Sequence, residues 1–64
     1  MYLVYFQPYM TTPMYLYDKE YRREEAALKK LEKIKNALGG LYNGFVAPDD
    51  YKYFKQTLRV RVRL

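Results

Sequence analysis

Three arginines at alternate positions are the residues whose type and spacing most directly suggest chemistry. Arg59, Arg61 and Arg63 alternate with apolar residues in the sequence TLRVRVRL. In a strand they would form a row on one face, about 6.5–7 Å apart. The guanidinium group makes forked hydrogen bonds to phosphates and carboxylates and stacks on rings. The row therefore predicts an anion-binding surface or, alternatively, a charged edge strand that deters aggregation.

Tyrosine is the second candidate for binding chemistry, since the chain contains nine of them. Exposed tyrosine stacks on unpaired bases, and it is equally favoured in protein interfaces. Tyr9 and Met10 lie between two prolines, in a loop that runs from Pro8 to Pro13. If exposed they would mark a contact site, and otherwise they would fold back as a lid on the core. The further candidate tyrosines for partner binding are Tyr5, Tyr15 and Tyr17.

The residues that most enzymes use are absent. The sequence has no histidine and no cysteine, which removes the commonest general base, the thiol nucleophile and the usual zinc ligands. Asp49 and Asp50 could act as a carboxylate pair, but adjacent acidic residues at a turn are usually turn formers. Gly39 and Gly40 follow a helix and so fit a helix end better than a phosphate loop. We expect a protein that is not an enzyme and that needs no cofactor.

A long amphipathic helix is the most clearly predicted element. Asp18 can cap it, Gly39 can end it, and the residues between them are strong helix formers. An apolar stripe is predicted to face the core: Ala27, Leu28, Leu31, Ile34 and Leu38. The opposite face is basic, and it is either a solvated surface or half of a footprint for an anionic partner. Its members are Lys19, Arg22, Arg23, Lys29, Lys30 and Lys33.

The remaining segments predict strands around this helix. Tyr2 to Gln7 is apolar on both faces, so it is a central strand covered twice, a strand with one face on a partner, or a strand whose tyrosine hydroxyls reach water. Met14 to Tyr17 could pair with it as a hairpin. Asn43-Gly44 suggests a turn, bulge or bend within Leu41 to Ala47. Tyr51 to Thr57 fits a strand or a helix, with strand preferred, and Thr57 to Leu64 is a clear half-buried strand.

These elements predict one small domain over residues 1–64. The fold class is α+β, a β(β)αββ arrangement in which one long helix packs on one face of an antiparallel or mixed sheet. A chain this short buries a limited fraction of its surface, and no disulfide can stabilise it. Together with the doubly apolar first strand, this favours a homo-oligomer.

The net charge and the hydropathy of the sequence limit which partners and which cellular location we expect. Twelve basic against seven acidic residues give a net charge of +5, which favours an anionic partner. No apolar run could span a membrane, and the first ten residues lack the pattern of a signal peptide. We expect an intracellular, cytoplasmic protein.

Three functions compete at this point. The first is a small regulator or inhibitor that docks on a larger protein with an acidic surface and acts by occlusion. In size and composition alone it is similar to the inhibitors that phages direct at host machinery. The second is a module that binds single-stranded nucleic acid or RNA through tyrosine stacking and the arginine row. The third is a structural subunit of an assembly.

Overall fold

The fold is a four-stranded sheet with one helix on one face, as the sequence predicts. The computed structural model describes residues 1–51 and 57–61. In chain order the elements are β1 (Tyr2–Gln7), β2 (Met14–Tyr17), α1 (Glu24–Leu38), β3 (Asn43–Pro48) and β4 (Thr57–Val60). The strand order across the sheet is β3-β1-β2-β4. The predicted α+β class and the β(β)αββ order are both confirmed.

Strand pairing makes this sheet mixed and places β1 inside it. β1 and β2 form an antiparallel hairpin with Tyr5 opposite Leu16. β1 also runs antiparallel to β3, from the pair Tyr2 and Pro48 to the pair Gln7 and Asn43. β4 is parallel to β2. Asn43-Gly44 is therefore the regular start of a strand, and the predicted turn or bulge at this dipeptide is wrong.

The helix side of the sheet carries the larger core cluster. Val4 and Phe6 of β1 are fully or nearly fully buried there against Ala27 and Ile34 of the helix. Tyr17 of β2 joins the same cluster. The helix packs over β1 and β3, which are the two strands nearest to it. Alternate apolar residues of β1 therefore supply this core, as period-two alternation requires.

The opposite face of the sheet is also buried. Tyr5, Leu16, Met14 and Ala47 form a second cluster there, and the ring of Tyr5 stacks on Phe45 with centroids 4.9 Å apart. Both faces of β1 are thus covered. Of the three explanations for its apolar character, the structure supports the central strand that is covered twice.

The helix begins five residues later than predicted. It starts at Glu24, and the residue at its N-cap position is Arg23, whose side chain makes no capping hydrogen bond. Asp18 instead follows the end of β2, where its N–H donates to the carbonyl of Val60 (2.8 Å). Tyr21 is likewise held by a β-bridge to Tyr2. These backbone hydrogen bonds to the sheet keep Asp18 and Tyr21 out of the helix. The predicted end is confirmed, since Gly39 adopts the left-handed conformation with φ 76°.

The predicted apolar stripe divides in two. Ala27 and Ile34 are fully buried and Leu31 packs against their cluster, whereas Leu28 and Leu38 are exposed. Leu38 is close to the helix end, and Leu28 lies to the side of the buried positions, so the sheet covers neither. Asp49 and Asp50 form a turn, as adjacent acidic residues there suggest, and a hydrogen bond from the Tyr51 N–H to the Pro48 carbonyl (3.0 Å) closes it. The strand predicted from Tyr51 to Thr57 lies largely outside the described residues, as do Val62 to Leu64.

Candidate partner-binding surfaces

Two loops meet at one end of the molecule. The chain leaves β1 at Gln7, and it enters β3 at Asn43, which pairs with Gln7. The N–H of Tyr42 donates to the carbonyls of Gln7 (2.9 Å) and Pro8 (3.2 Å). The segment from the helix end to β3 is thereby tied to the β1–β2 loop. We call this region, residues 7–14 and 36–44, the uncharged end.

Hydrogen bonds fix the β1–β2 loop in one shape. The Thr12 hydroxyl donates to the Tyr9 carbonyl (2.9 Å) and accepts from the Tyr9 N–H (3.3 Å). The Gln7 side chain donates to the Thr12 carbonyl (2.8 Å). Pro8 and Pro13 further restrict the backbone at both ends of the loop. The loop is therefore ordered before any partner arrives, which lowers the entropy that binding would cost.

The side chains at the uncharged end are exposed and apolar. Tyr9 is 67% and Met10 71% exposed, and Tyr42 is 60% exposed. Leu38, at the end of the helix, is also exposed. Neither segment contains a charged residue, although 30% of the chain is charged. Aromatic residues and methionine are enriched, and charged residues depleted, at the centre of protein interfaces.

The arginine row is positioned by β4 but shares a carboxylate. Arg59 pairs with Leu16 in register and so lies on the sheet face opposite the helix. One Asp18 carboxylate oxygen accepts from Arg59 (3.4 Å), and the other accepts from Arg61 (3.3 Å). Asp18 therefore neutralises part of the row. Arg63 lies outside the described residues.

Asp18→Asn tests what this shared carboxylate contributes to stability. We expect a loss below about 1 kcal/mol in the free energy of unfolding, because both arginines are largely exposed and water screens the pairs. The loss should shrink in about 1 M salt. Urea unfolding at low and high salt measures it. Glu25→Gln is the control, since Glu25 contacts only the exposed Arg23 at 4.0 Å among the described ion pairs. A loss that is equal at both salt concentrations would contradict the electrostatic explanation.

Most candidate tyrosines of the sheet belong to the core. Tyr5 and Tyr17 are buried on opposite faces, and Tyr15 is half-buried with its ring 5.5 Å from that of Phe6. Burial raises the pKa of Tyr5 above its ordinary value, Tyr51 adds to the rise, and Arg59 opposes it. Tyr5 and Tyr17 are thus unavailable for stacking on a partner. Of Tyr5, Tyr9, Tyr15 and Tyr17, Tyr9 alone is largely exposed, at 67%.

The basic helix face is only partly free. Lys29, Lys33, Arg22 and Arg23 are exposed. Lys30 instead faces the sheet, where its ammonium group lies 4.9 Å from the centroid of the Tyr17 ring in a cation–π contact. Arg22 and Arg23 precede the helix rather than forming part of it. The basic surface is therefore shorter than the sequence suggests, and Lys30 is a packing residue.

Other chemistry has little support among the residues that the structure describes. No three acidic side chains there come together as metal ligands. The helix α1 is too short and too polar to cross a membrane. A cavity of about 310 Å³ lies between the helix and the start of β3, lined by Leu31, Lys35 and Gly44 among others.

Comparison with known proteins finds no matching family model, no matching curated protein and no matching solved structure. Leu38 and Tyr42 were not among the predicted contact residues. The absence of charge from residues 36–44, parallel to that in 7–14, is the sequence signal that could have indicated them.

Proposed function

We propose that this chain is a small non-enzymatic binding protein that docks on a larger protein and regulates or inhibits it by occlusion. The observation that carries the proposal is the uncharged end, where a hydrogen-bonded loop holds Tyr9 and Met10 in solvent. Contiguous exposed apolar patches on soluble proteins often mark sites where another protein binds.

The hydrogen-bonded loop and its apolar side chains favour a protein as the partner. Tyrosine and methionine bury large areas, and a preorganised loop loses little conformational freedom when it docks. Tyr42 and Leu38 are exposed in the segment that the Tyr42 N–H ties to this loop. Tyrosine that is central and fully desolvated on binding is a typical hot-spot residue.

The net charge supports a partner with an acidic surface. The exposed Lys29 and Lys33 lie on the outer face of the helix and not at the uncharged end. They would accelerate the encounter by long-range attraction, while the apolar contacts would hold the complex. Occlusion of the partner's site requires no chemistry from this chain.

Affinity capture with a double variant tests the proposal. The bait is the full chain, and the lysate comes from the cells that produce it, at about 0.15 M salt. The wild type should capture a defined protein, and the variant Tyr9→Ala/Met10→Ala should bind that protein at least tenfold more weakly, because two hot-spot side chains are lost. Calorimetry or surface binding with the purified partner gives the ratio.

Leu58→Ala is the matched control because Leu58 is exposed to a similar degree but belongs to β4. It should leave the affinity unchanged. Capture of no protein, or equal binding by the wild type and the double variant, would overturn the proposal.

Nucleic-acid binding remains the second candidate because of the net charge of +5 and the exposed helix lysines. It has less support because the sheet tyrosines are buried and Asp18 offsets the arginines. Single-stranded and duplex DNA and RNA, titrated over a salt series, would decide between the two. Binding that falls steeply with salt and weakens when Arg59, Arg61 and Arg63 become Gln would favour the nucleic acid.

A further inference from the structure

The two outer strands of the sheet are protected differently. β4 carries Arg59, and Arg61 follows it directly, and charged residues on an edge strand discourage pairing with another chain. β3, from Asn43 to Pro48, contains no charged residue. It is therefore the edge on which another strand could pair.

Gly44 and Val46 direct their backbone groups to the open side of β3. Asp49 donates its N–H to the Met1 carbonyl (2.9 Å), and Tyr2, opposite Pro48, uses its own N–H and C=O for Tyr21. Because hydrogen-bonded and non-bonded pairs alternate in an antiparallel ladder, the odd-numbered residues of β3 bond to β1 and the even-numbered ones do not. In the part of the chain that the structure describes, no strand pairs with this outer row.

The helix extends beyond this edge. Leu31 approaches Gly44 of β3, and Lys30 contacts Tyr17 of β2 on the other side. Successive residues of a helix are about 100° apart. On this basis Lys35 and Leu28 lie next to Leu31 on the helix surface, on the side away from the buried residues and beyond β3. Leu28 is 47% exposed there. Leu28 is therefore the exposed residue of the predicted stripe that lies on the β3 side of the helix.

We infer that a second copy of this chain covers this surface, with the two β3 strands antiparallel about a two-fold axis at Phe45. Gly44 of each copy then lies opposite Val46 of the other, and both residues exchange their N–H and C=O groups completely. A register shifted to place Gly44 opposite Pro48 would leave a carbonyl unpaired, because proline has no N–H. The product is one continuous eight-stranded sheet.

The helix spacing agrees with this arrangement. The helix contacts β1 and β3. Neighbouring strands lie about 4.8 Å apart, so if the helix axis runs along these two strands and midway between them, it lies about 2.4 Å inside β3. The two-fold axis lies a further 2.4 Å or so outside β3. The two helices are then about 10 Å apart and antiparallel, a separation at which helices pack against each other.

Charge complementarity identifies the occupant as a second copy. Leu31 lies beside Gly44, and the two-fold axis is one residue further along β3, at Phe45. The axis therefore passes the helix near the midpoint between Leu28 and Leu31. Leu28 of each copy then meets Leu31 of the other, and Lys35 of each copy lies near Glu24 of the other. Two apolar contacts and two opposite-charge pairs thus arise from one symmetry operation.

Sedimentation velocity over a concentration series tests the proposal. The 7.8 kDa chain should sediment as a dimer at high micromolar concentration. Leu28→Lys should weaken dimerisation at least tenfold because it places two like charges at the axis. Leu58→Lys alters an exposed leucine on β4, at the opposite edge of the sheet, and it should leave dimerisation unchanged.

Charge reversal separates a second copy from any other occupant. Lys35→Glu alone and Glu24→Lys alone should each weaken the dimer about tenfold, and the double variant should recover it. Both single changes also disfavour the helix dipole, so recovery in the double variant has no explanation in helix stability. Circular dichroism confirms that each variant is folded.

A monomer at high micromolar concentration, or a double variant no better than the singles, would overturn the proposal. The first result would assign the β3 edge to a strand of another protein instead. Tyr9→Ala/Met10→Ala should dimerise normally, so failure of this inference is distinguishable from failure of the docking function.

Discussion

Replacing Ile34 with Ala should lower the free energy of unfolding by about 2–5 kcal/mol. Ile34 is completely buried, in contact with the cluster that contains Val4, Phe6 and Ala27. The truncation leaves a cavity that its rigid neighbours cannot fill. A chain of 64 residues has little stability in reserve, so the loss is a large fraction of the total. Urea unfolding followed by circular dichroism measures it.

Two companion variants keep this prediction testable if Ile34→Ala does not fold. Ile34→Val removes one methylene and should cost about 0.5–1.5 kcal/mol. Leu38→Ala, one helical turn later on the same predicted stripe, should cost less than about 1 kcal/mol because Leu38 is 43% exposed. Equal losses at positions 34 and 38 would show that the helix does not pack as the structure describes.

The contrast between Ile34 and Leu38 shows that the sequence predicts which face of the helix a residue occupies but not whether the sheet covers it. Helical periodicity places Ile34 and Leu38 on one stripe, and this is correct as geometry. Burial also depends on where the sheet ends, and that boundary follows from strand lengths and register. The same limit applies to the helix start, since the bonds from Asp18 to Val60 and from Tyr21 to Tyr2 join residues far apart in sequence.

The elements that depend only on adjacent residues were predicted correctly. The strands Tyr2–Gln7 and Met14–Tyr17, the left-handed Gly39 and the turn after Pro48 all follow from a few adjacent residues. Asn43-Gly44 is the exception, because pairing with β1 overrides its preference for a turn.

The sequence predicts only part of the candidate site. Tyr9 and Met10 are predictable because two prolines keep their loop out of the sheet. Tyr42 and Leu38 join them only because β1 and β3 pair in a register that brings the helix end to the same side. The arginine row fails as a simple anion site for a similar reason, since Asp18 is distant in sequence and adjacent in space.

Replacing Tyr5 with Ala should lower the free energy of unfolding by about 3–5 kcal/mol, which tests the second buried face of the sheet. Tyr5 is 4% exposed, stacks on Phe45 and meets Tyr51 edge-on at 6.3 Å. Its loss removes both ring contacts as well as buried area. Thermal or urea unfolding gives the change.

Tyr9→Ala is the matched control because it deletes the same side chain from an exposed loop. Its cost should be below about 0.5 kcal/mol. Tyr5→Leu keeps apolar volume on the buried face and should cost less than Tyr5→Ala, so it gives a reading even if the alanine variant is unfolded. If Tyr5→Ala were as mild as Tyr9→Ala, β1 would be covered on one face only. The second apolar face of the sheet would then be open to a partner, and the uncharged end would no longer be the strongest candidate for docking.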